Sequence, residues 1–222
     1  MELSDETLAV LLQRFGSSVA AGQAIFAEGD VADHLYIVYS GRVRSVRRYR
    51  ASERSLTVLR DGDLFGEEAF LGPGVHRTAA AVALTDVELI GMDRESFGEW
   101  LASEPSLARQ TVALLVRRVR DLDEQLENTH LEDHSCRVVN TMLRLAARVP
   151  PSAHGHTLQL SPLELSSRVG LDVDAVKRAI QRLRDGGYVR IRDEKIVLPD
   201  LAALRHLYEL LSAKEEMRRG SF

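Results

Sequence analysis

Only one cysteine, Cys136, stands among the 222 residues, so the chain can form no internal disulfide and no cluster held by several thiolates. Long apolar runs are missing too. Nothing approaches the roughly 18 consecutive apolar residues that a membrane-spanning helix needs. The first residues lack the basic, then apolar, then small-residue succession of an export signal, so the chain is expected in the cytoplasm. The 7 histidines show no zinc-type spacing. No Ser/His/Asp order or pocket of paired acids argues for an enzyme. What remains is an ordinary globular composition, 45% hydrophobic and 28% charged, with length for one large or two modest domains.

The net charge of −4 conceals an asymmetry. From Arg137 to Leu198 there are eleven Lys and Arg against six acids, a surplus of five. The residues after Leu198 balance, which leaves −9 for residues 1–136. An acidic first part and a basic second part imply that a polyanion meets the second.

Between these parts runs the stretch Gln110 to Thr129. Val112, Leu115, Val119, Leu122, Leu126 and Thr129 recur at alternating steps of three and four, a seam one residue wide. Arg117, Arg118, Arg120, Asp121, Asp123, Glu124 and Glu127 occupy the other faces. A narrow apolar stripe with charged flanks suits a helix that meets a copy of itself. A helix packed on its own domain is the alternative, although it usually carries a broader apolar face.

Before this helix the pattern is β-rich. Ser4 can cap a first helix whose apolar face is Leu8, Leu11, Leu12 and Phe15. The runs AIF, HLYIVYS, RVRSVRRY, SLTVLR, TAAAVA and VELIGM then follow, separated by glycine-bearing turns such as Glu28-Gly29-Asp30, Ser40-Gly41 and Asp61-Gly62-Asp63. Short strands at such spacing predict an antiparallel sandwich or barrel. Asp93 caps a short helix through Leu101. One loop, residues 64–82, is glycine-rich and ends in Arg77-Thr78. An arginine fork beside a hydroxyl and free backbone N–H groups is a phosphate cradle, and Glu67 is an acceptor suited to a sugar hydroxyl.

After the spine, His130 to His134 is expected to be a hinge. Val138, Val139, Met142, Leu143 and Leu145 mark a helix, and Thr157 to Leu160 a short strand. Ser161, Pro162 and Glu164 then make an N-cap, a first-turn proline and a capping-box acid. That helix ends at Gly170, and Asp172 caps the next. Val176, Ala179, Ile180 and Leu183 face inward. Asp174, Lys177, Arg178, Gln181 and Arg182 share the outer face. Two helices joined by a tight turn, the second polar and basic outside, describe a helix-turn-helix. Gly186-Gly187 stops it, and Tyr188 to Ile191 pairs with Lys195 to Leu198 as a wing. Leu201 to Ser212 reads as a closing helix, with a frayed tail from Lys214.

The chain resembles the cyclic AMP receptor protein/FNR family of bacterial transcription regulators over nearly its whole length. Gly22-Gln23, Ile25-Phe26, Glu28-Gly29-Asp30, Leu35 to Val38 and Ser40-Gly41 look like its nucleotide-binding jelly roll. Phe65-Gly66-Glu67, followed ten residues later by Arg77-Thr78, is similar to its phosphate-binding cassette. The resemblance implies an α+β protein. A cyclic-nucleotide-binding β-roll would occupy residues 1–105, a dimerisation helix and hinge 106–134, and a winged helix-turn-helix 135–222. It implies that Glu67 accepts from the ribose 2′-hydroxyl and that Arg77 and Thr78 hold the cyclic phosphate, supported by the Gly66 and Glu67 backbone. Cyclic AMP or a related cyclic nucleotide is the implied effector.

Where cyclic AMP-responsive members use a Thr-Ser pair for the adenine, this chain has Leu122 and Asp123. Leu122 offers no hydrogen bond and fits the seam, so the phosphate and ribose half of the site is matched and the base half is not. One cysteine excludes an FNR-type iron–sulfur cluster. A lone loop histidine, His76, is a weak basis for haem, so neither haem nor a metal is expected.

For DNA, the resemblance places a base-reading arginine at Arg178 and a base-reading acid at Asp174, with Val173 where many members carry a further arginine. Arg178 and Arg182 have the shape to fork onto guanine O6 and N7, and Lys177 suits a base or a phosphate. Ser161, at a helix start, suits a phosphate. The partners implied are a pseudo-palindromic double-stranded operator, a second copy joined through Val112, Leu115, Val119, Leu122 and Leu126, and RNA polymerase. The expected activity is ligand-controlled, sequence-specific DNA binding without catalysis. The alternative is a regulator that ignores nucleotides and keeps the cassette as a remnant. Arg77→Ala is expected to lose the ligand and keep the fold.

Overall fold

The computed structural model describes residues 5–49, 52–152, 155–192 and 195–219. Contacts divide the chain into two units, the first ending at Val119 and the second beginning at Arg120.

The first unit runs α1 (Asp5–Phe15), β1 (Gly16–Val19), β2 (Ala24–Phe26), β3 (His34–Ser40), β4 (Val43–Tyr49), β5 (Ser52–Leu59) and β6 (Leu64–Phe65). A 3-10 turn (Glu67–Leu71), β7 (Ala80–Ala83), β8 (Val87–Asp93), α2 (Arg94–Ser103) and the start of α3 (Pro105–Thr129) follow. The strands form two antiparallel four-stranded sheets, ordered β1-β8-β3-β6 and β2-β7-β4-β5.

The period of two in β3 explains how the layers stack. Its even members, Tyr36 and Val38, join Val43, Leu59, Phe65, Ala81, Val87 and Leu89 in the core between the sheets. Its odd members, Leu35 and Ile37, face the other way with Leu64, Ile90 and Met92. That outer layer is covered by Leu11 of α1, Phe97 of α2 and Leu114 of α3. Central strands buried on both faces read as nearly continuous apolar runs, which is what HLYIVYS and VELIGM are. The expected α1 face of Leu8, Leu11, Leu12 and Phe15 packs here, while the cap assigned to Ser4 lies outside the described residues. Asp93 does cap α2, accepting from the Ser96 N–H at 2.7 Å. Strands β1 and β6 were not anticipated, because GSSV has a single apolar residue and Leu64–Phe65 is two residues long.

The second unit takes the end of α3, then α4 (His134–Ala146), β9 (His156–Leu158), α5 (Pro162–Val169) and α6 (Val173–Asp185). β10 (Arg190–Arg192), β11 (Lys195–Leu198) and α7 (Leu201–Arg219) complete it. Three strands form one small sheet, ordered β10-β11-β9. The core is built from Val138, Met142, Leu165, Val176, Ala179 and Leu204 with their neighbours. Below the start of α4, buried Asn128 donates to Thr141 Oγ1 at 3.0 Å and accepts from Asn140 Nδ2 at 2.7 Å. An ion pair from Arg144 to Glu127 (2.6 Å) ties α4 to α3, and Arg148, in the turn after α4, reaches Asp121 of α3 (3.3 Å).

Several boundaries shift from the sequence expectation. The expected hinge loses His134 to α4, because Asp133 caps that helix by accepting from the Ser135 and Cys136 N–H groups at 2.6 and 3.1 Å. The strand expected at Thr157 to Leu160 spans His156–Leu158 instead. Tyr188 and Val189 precede the wing strand, since the Tyr188 N–H bonds back to the Leu183 carbonyl at 2.9 Å and Val189 is buried. The tail expected to fray from Lys214 stays helical to Arg219. Its anchor is Glu215, buried and accepting from the Glu132 N–H. Among the described residues no helix is long and apolar enough to cross a membrane.

Candidate ligand cassette and nucleic-acid interface

The cassette is assembled around a buried arginine. Gly66 sits at φ 74° between β6 and the 3-10 turn, where an L side chain would be strained. A Cβ there would stand 2.9 Å from Arg77 Nη1 and 3.2 Å from the His34 carbonyl oxygen, so only glycine lets this arginine in. Arg77 is held by its backbone as well, its N–H donating to the Asp30 carbonyl at 2.8 Å and its carbonyl accepting from Gly29 N–H at 3.0 Å. That pairing explains the Glu28-Gly29-Asp30 turn: it grips the segment before β7 that delivers Arg77.

The side chain of Arg77 is 1% exposed. Nη1 donates to the Gly66 carbonyl at 2.9 Å and faces Glu68 Oε2 at 3.5 Å, while Nη2 donates to the His34 carbonyl. The guanidinium carbon lies 4.1 Å from the centre of the Phe26 ring, a cation–π contact at the edge of the Phe26–Tyr36–Phe65 cluster. Its buried Nε has no acceptor among the described residues. Thr78 is exposed, and its hydroxyl donates to Glu68 Oε1 at 2.9 Å. Glu67 turns elsewhere: Arg118 of α3 donates to its Oε1 at 2.8 Å and to the Leu64 carbonyl.

Gly66, Arg77 and Thr78 therefore meet, the last two through Glu68, while the Glu67 side chain is held by Arg118. The other two residues assigned to the ligand are Leu122 and Asp123. They belong to the second unit, where both are exposed. Glu68 and Arg118 escaped the sequence reading. Arg118 lies 51 residues from Glu67 on a helix full of arginines, and Glu68 is masked by the better placed acid beside it. His76 donates from Nδ1 to the Gly29 carbonyl at 2.8 Å. Nearby, a hydrogen bond from His34 holds the Asp33 carboxyl below the usual carboxylate range. Burial pushes the Cys136 thiol up, away from the reactive thiolate. No group of three or more metal-binding side chains occurs among the described residues.

The second surface is built in the opposite way. Ser161 caps α5 with the full reciprocal box: Glu164 N–H donates to its Oγ at 3.3 Å, and its own N–H donates to Glu164 Oε2 at 2.6 Å. Gly170 ends α5 in the left-handed region at φ 72°. Asp172 then starts α6 by accepting from the Ala175 N–H at 2.7 Å. Val176, Ala179, Ile180 and Leu183 are buried, which turns Asp174, Lys177, Arg178 and Arg182 outward, all exposed. Their charged ends are committed to no other side chain among the described residues. Gln181, on the same face, is engaged along the helix with Asp185 at 2.7 Å and Arg184 at 2.6 Å. On α3, Val112 is 59% exposed, Val119 57%, Leu122 61% and Leu126 64%, with Leu115 and Val116 exposed beside them.

A β-roll with an anion cassette, joined through a long helix to a winged helix-turn-helix, defines a DNA-binding regulator with a ligand-sensing fold. Family models agree: a cyclic nucleotide-binding domain matches residues 17–104 and a Crp-like helix-turn-helix domain residues 136–207. A CRP-like cAMP-activated global transcriptional regulator of Mycobacterium tuberculosis is 32% identical over 183 residues, 81% of each chain. The cyclic AMP receptor protein of Thermus thermophilus is 33% identical over 187 residues, 84% of each. The solved structure of FixK2 from Bradyrhizobium japonicum superposes with a TM-score of 0.65 at 25% identity, covering 86% of this chain and 96% of that one. The chain belongs to the CRP/FNR family of transcription regulators.

Proposed function

We propose that this regulator is a homodimer whose affinity for a pseudo-palindromic operator is set by a cyclic nucleotide, with cyclic AMP the first expected effector. The observation that carries the reading is the convergence of Gly66, Arg77 and Thr78, an arginine fork and a hydroxyl beside glycine backbone, in a domain of the cyclic nucleotide-binding family. The two relatives named above for cyclic AMP support the choice of ligand. In this scheme residues 1–105 sense, 106–134 couple and pair, and 135–222 read DNA. Glu67 accepts from the ribose hydroxyl, and Leu122 and Asp123 lie toward the base.

The exposed stripe Val112, Leu115, Val119, Leu122 and Leu126 is the dimer seam, since so much apolar surface on one helix is stable in water only when covered. Two recognition helices then read half-sites about one helical turn apart. Arg178 and Arg182 fork onto guanine, Asp174 accepts from cytosine N4, Lys177 meets a base or phosphate, and Ser161 meets phosphate. RNA polymerase is the partner through which occupancy changes transcription. Catalysis plays no part.

The test is isothermal titration of the purified protein with cyclic AMP, cyclic GMP and cyclic di-GMP. Saturable heat from one of them, absent in Thr78→Val plus Arg77→Lys, supports a working sensor. Silence from all three turns the reading to a nucleotide-independent regulator. That second reading has its own support, because Arg77 is already engaged and Leu122 is apolar. Equal operator affinity with and without nucleotide would establish it.

A further inference from the structure

We propose that Glu68 is an internal anion that holds the phosphate-receiving groups of the cassette, so that a nucleotide binds by exchanging with its carboxylate. The inference rests on the proposed nucleotide reading. The two side chains expected to hold a cyclic phosphate, Arg77 and Thr78, are the two that Glu68 occupies, one with each carboxylate oxygen, at Arg77 Nη1 (3.5 Å) and Thr78 Oγ1 (2.9 Å). Two oxygens of one anion spanning a guanidinium and a hydroxyl is the pattern a phosphate would make. The neighbouring Glu67 is drawn off by Arg118 at 2.8 Å, so the adjacent acids have separate partners and Glu68 alone faces the anion position.

The burial pattern fits exchange. The Arg77 side chain is 1% exposed, whereas Glu68 is 21% exposed and reaches the site from the solvent side. A ligand meets the carboxylate first. Arg77 keeps its Gly66 and His34 carbonyls whether or not Glu68 is there, and its unpartnered Nε is a further donor that an incoming anion can use. Exchanging one monoanion for another leaves the charge around the buried guanidinium unchanged. A neutral ligand cannot make the exchange, because it would leave Arg77 less well paired. Glu68 thus selects for an anionic group and sets the affinity threshold for it.

The experiment is titration of the full chain and its Glu68→Gln and Glu68→Ala variants with cyclic AMP and with cyclic GMP, each protein checked by thermal unfolding. Removing the charge is expected to tighten binding by about tenfold, with Glu68→Ala at least as tight as Glu68→Gln. The factor should be the same for both nucleotides, since the exchanged contact is with phosphate. Binding by the variants alone would support the exchange most strongly. Unchanged or weaker binding by folded variants, or tightening for one base only, overturns it and leaves the sensor reading standing. Absence of binding in all three proteins sinks the sensor reading itself, and the exchange with it.

Discussion

The arginines of the cassette and those of the recognition helix face opposite situations. Arg77 is buried, stacked on Phe26 and bonded to two backbone carbonyls and a carboxylate. Arg178 and Arg182 stand exposed on α6 with no side-chain partner among the described residues. If these arginines meet DNA as proposed, they are ready before it arrives and need only shed water and counterions. The cassette has to give up contacts it already makes. On the proposed reading, a surface that waits for DNA and a site that resists occupation make a regulator whose set-point lies in the sensor.

Four changes separate or sharpen that contrast, beginning with the largest. Arg77→Ala is expected to abolish nucleotide binding by titration and also to cost about 2–4 kcal/mol of stability in chemical denaturation, because the Gly66 and His34 carbonyls lose a charged donor. The sequence-based expectation was an intact fold without the ligand; the buried bonds of Arg77 add a stability cost to it. Leu122→Asp puts a charge in the proposed seam and should weaken self-association by about a hundredfold in analytical ultracentrifugation. A dimer that tolerates it would place the interface elsewhere. Arg178→Ala should cost about 1–3 kcal/mol of operator affinity and relax one base position, with no change in melting temperature, since the side chain supports nothing in the fold. Asp172→Ala, which removes only the α6 cap, should lower stability by ~1 kcal/mol in denaturant titration.

Much of the second unit could be read locally. Ser161, Pro162 and Glu164 are a start signal within four residues, and Gly170 and Asp172 punctuate the turn, so the helix-turn-helix is written in short-range grammar. The apolar period of α6 then says which face is outside. The sandwich was legible too, wherever a strand carried several β-branched or aromatic residues, as β3 and β8 do. It failed for β1, whose four residues hold one apolar side chain, for β6, which is two residues long, and at the chain end, where Glu215 finds a partner 83 residues away.

The sequence by itself determined the class of this protein: two domains, a long helix with a narrow apolar stripe between them, an arginine-hydroxyl cassette, and a basic recognition helix. Those features repeat at fixed local spacings, and spacing is what a sequence displays. Tertiary structure alone decided which acid meets which arginine. Glu67 and Glu68 are adjacent and chemically identical, yet one pairs with Arg118 of α3 and the other with Arg77 and Thr78. The difference lies in the direction each side chain takes from the 3-10 turn, and only the packing of β6, β7 and α3 around that turn sets it.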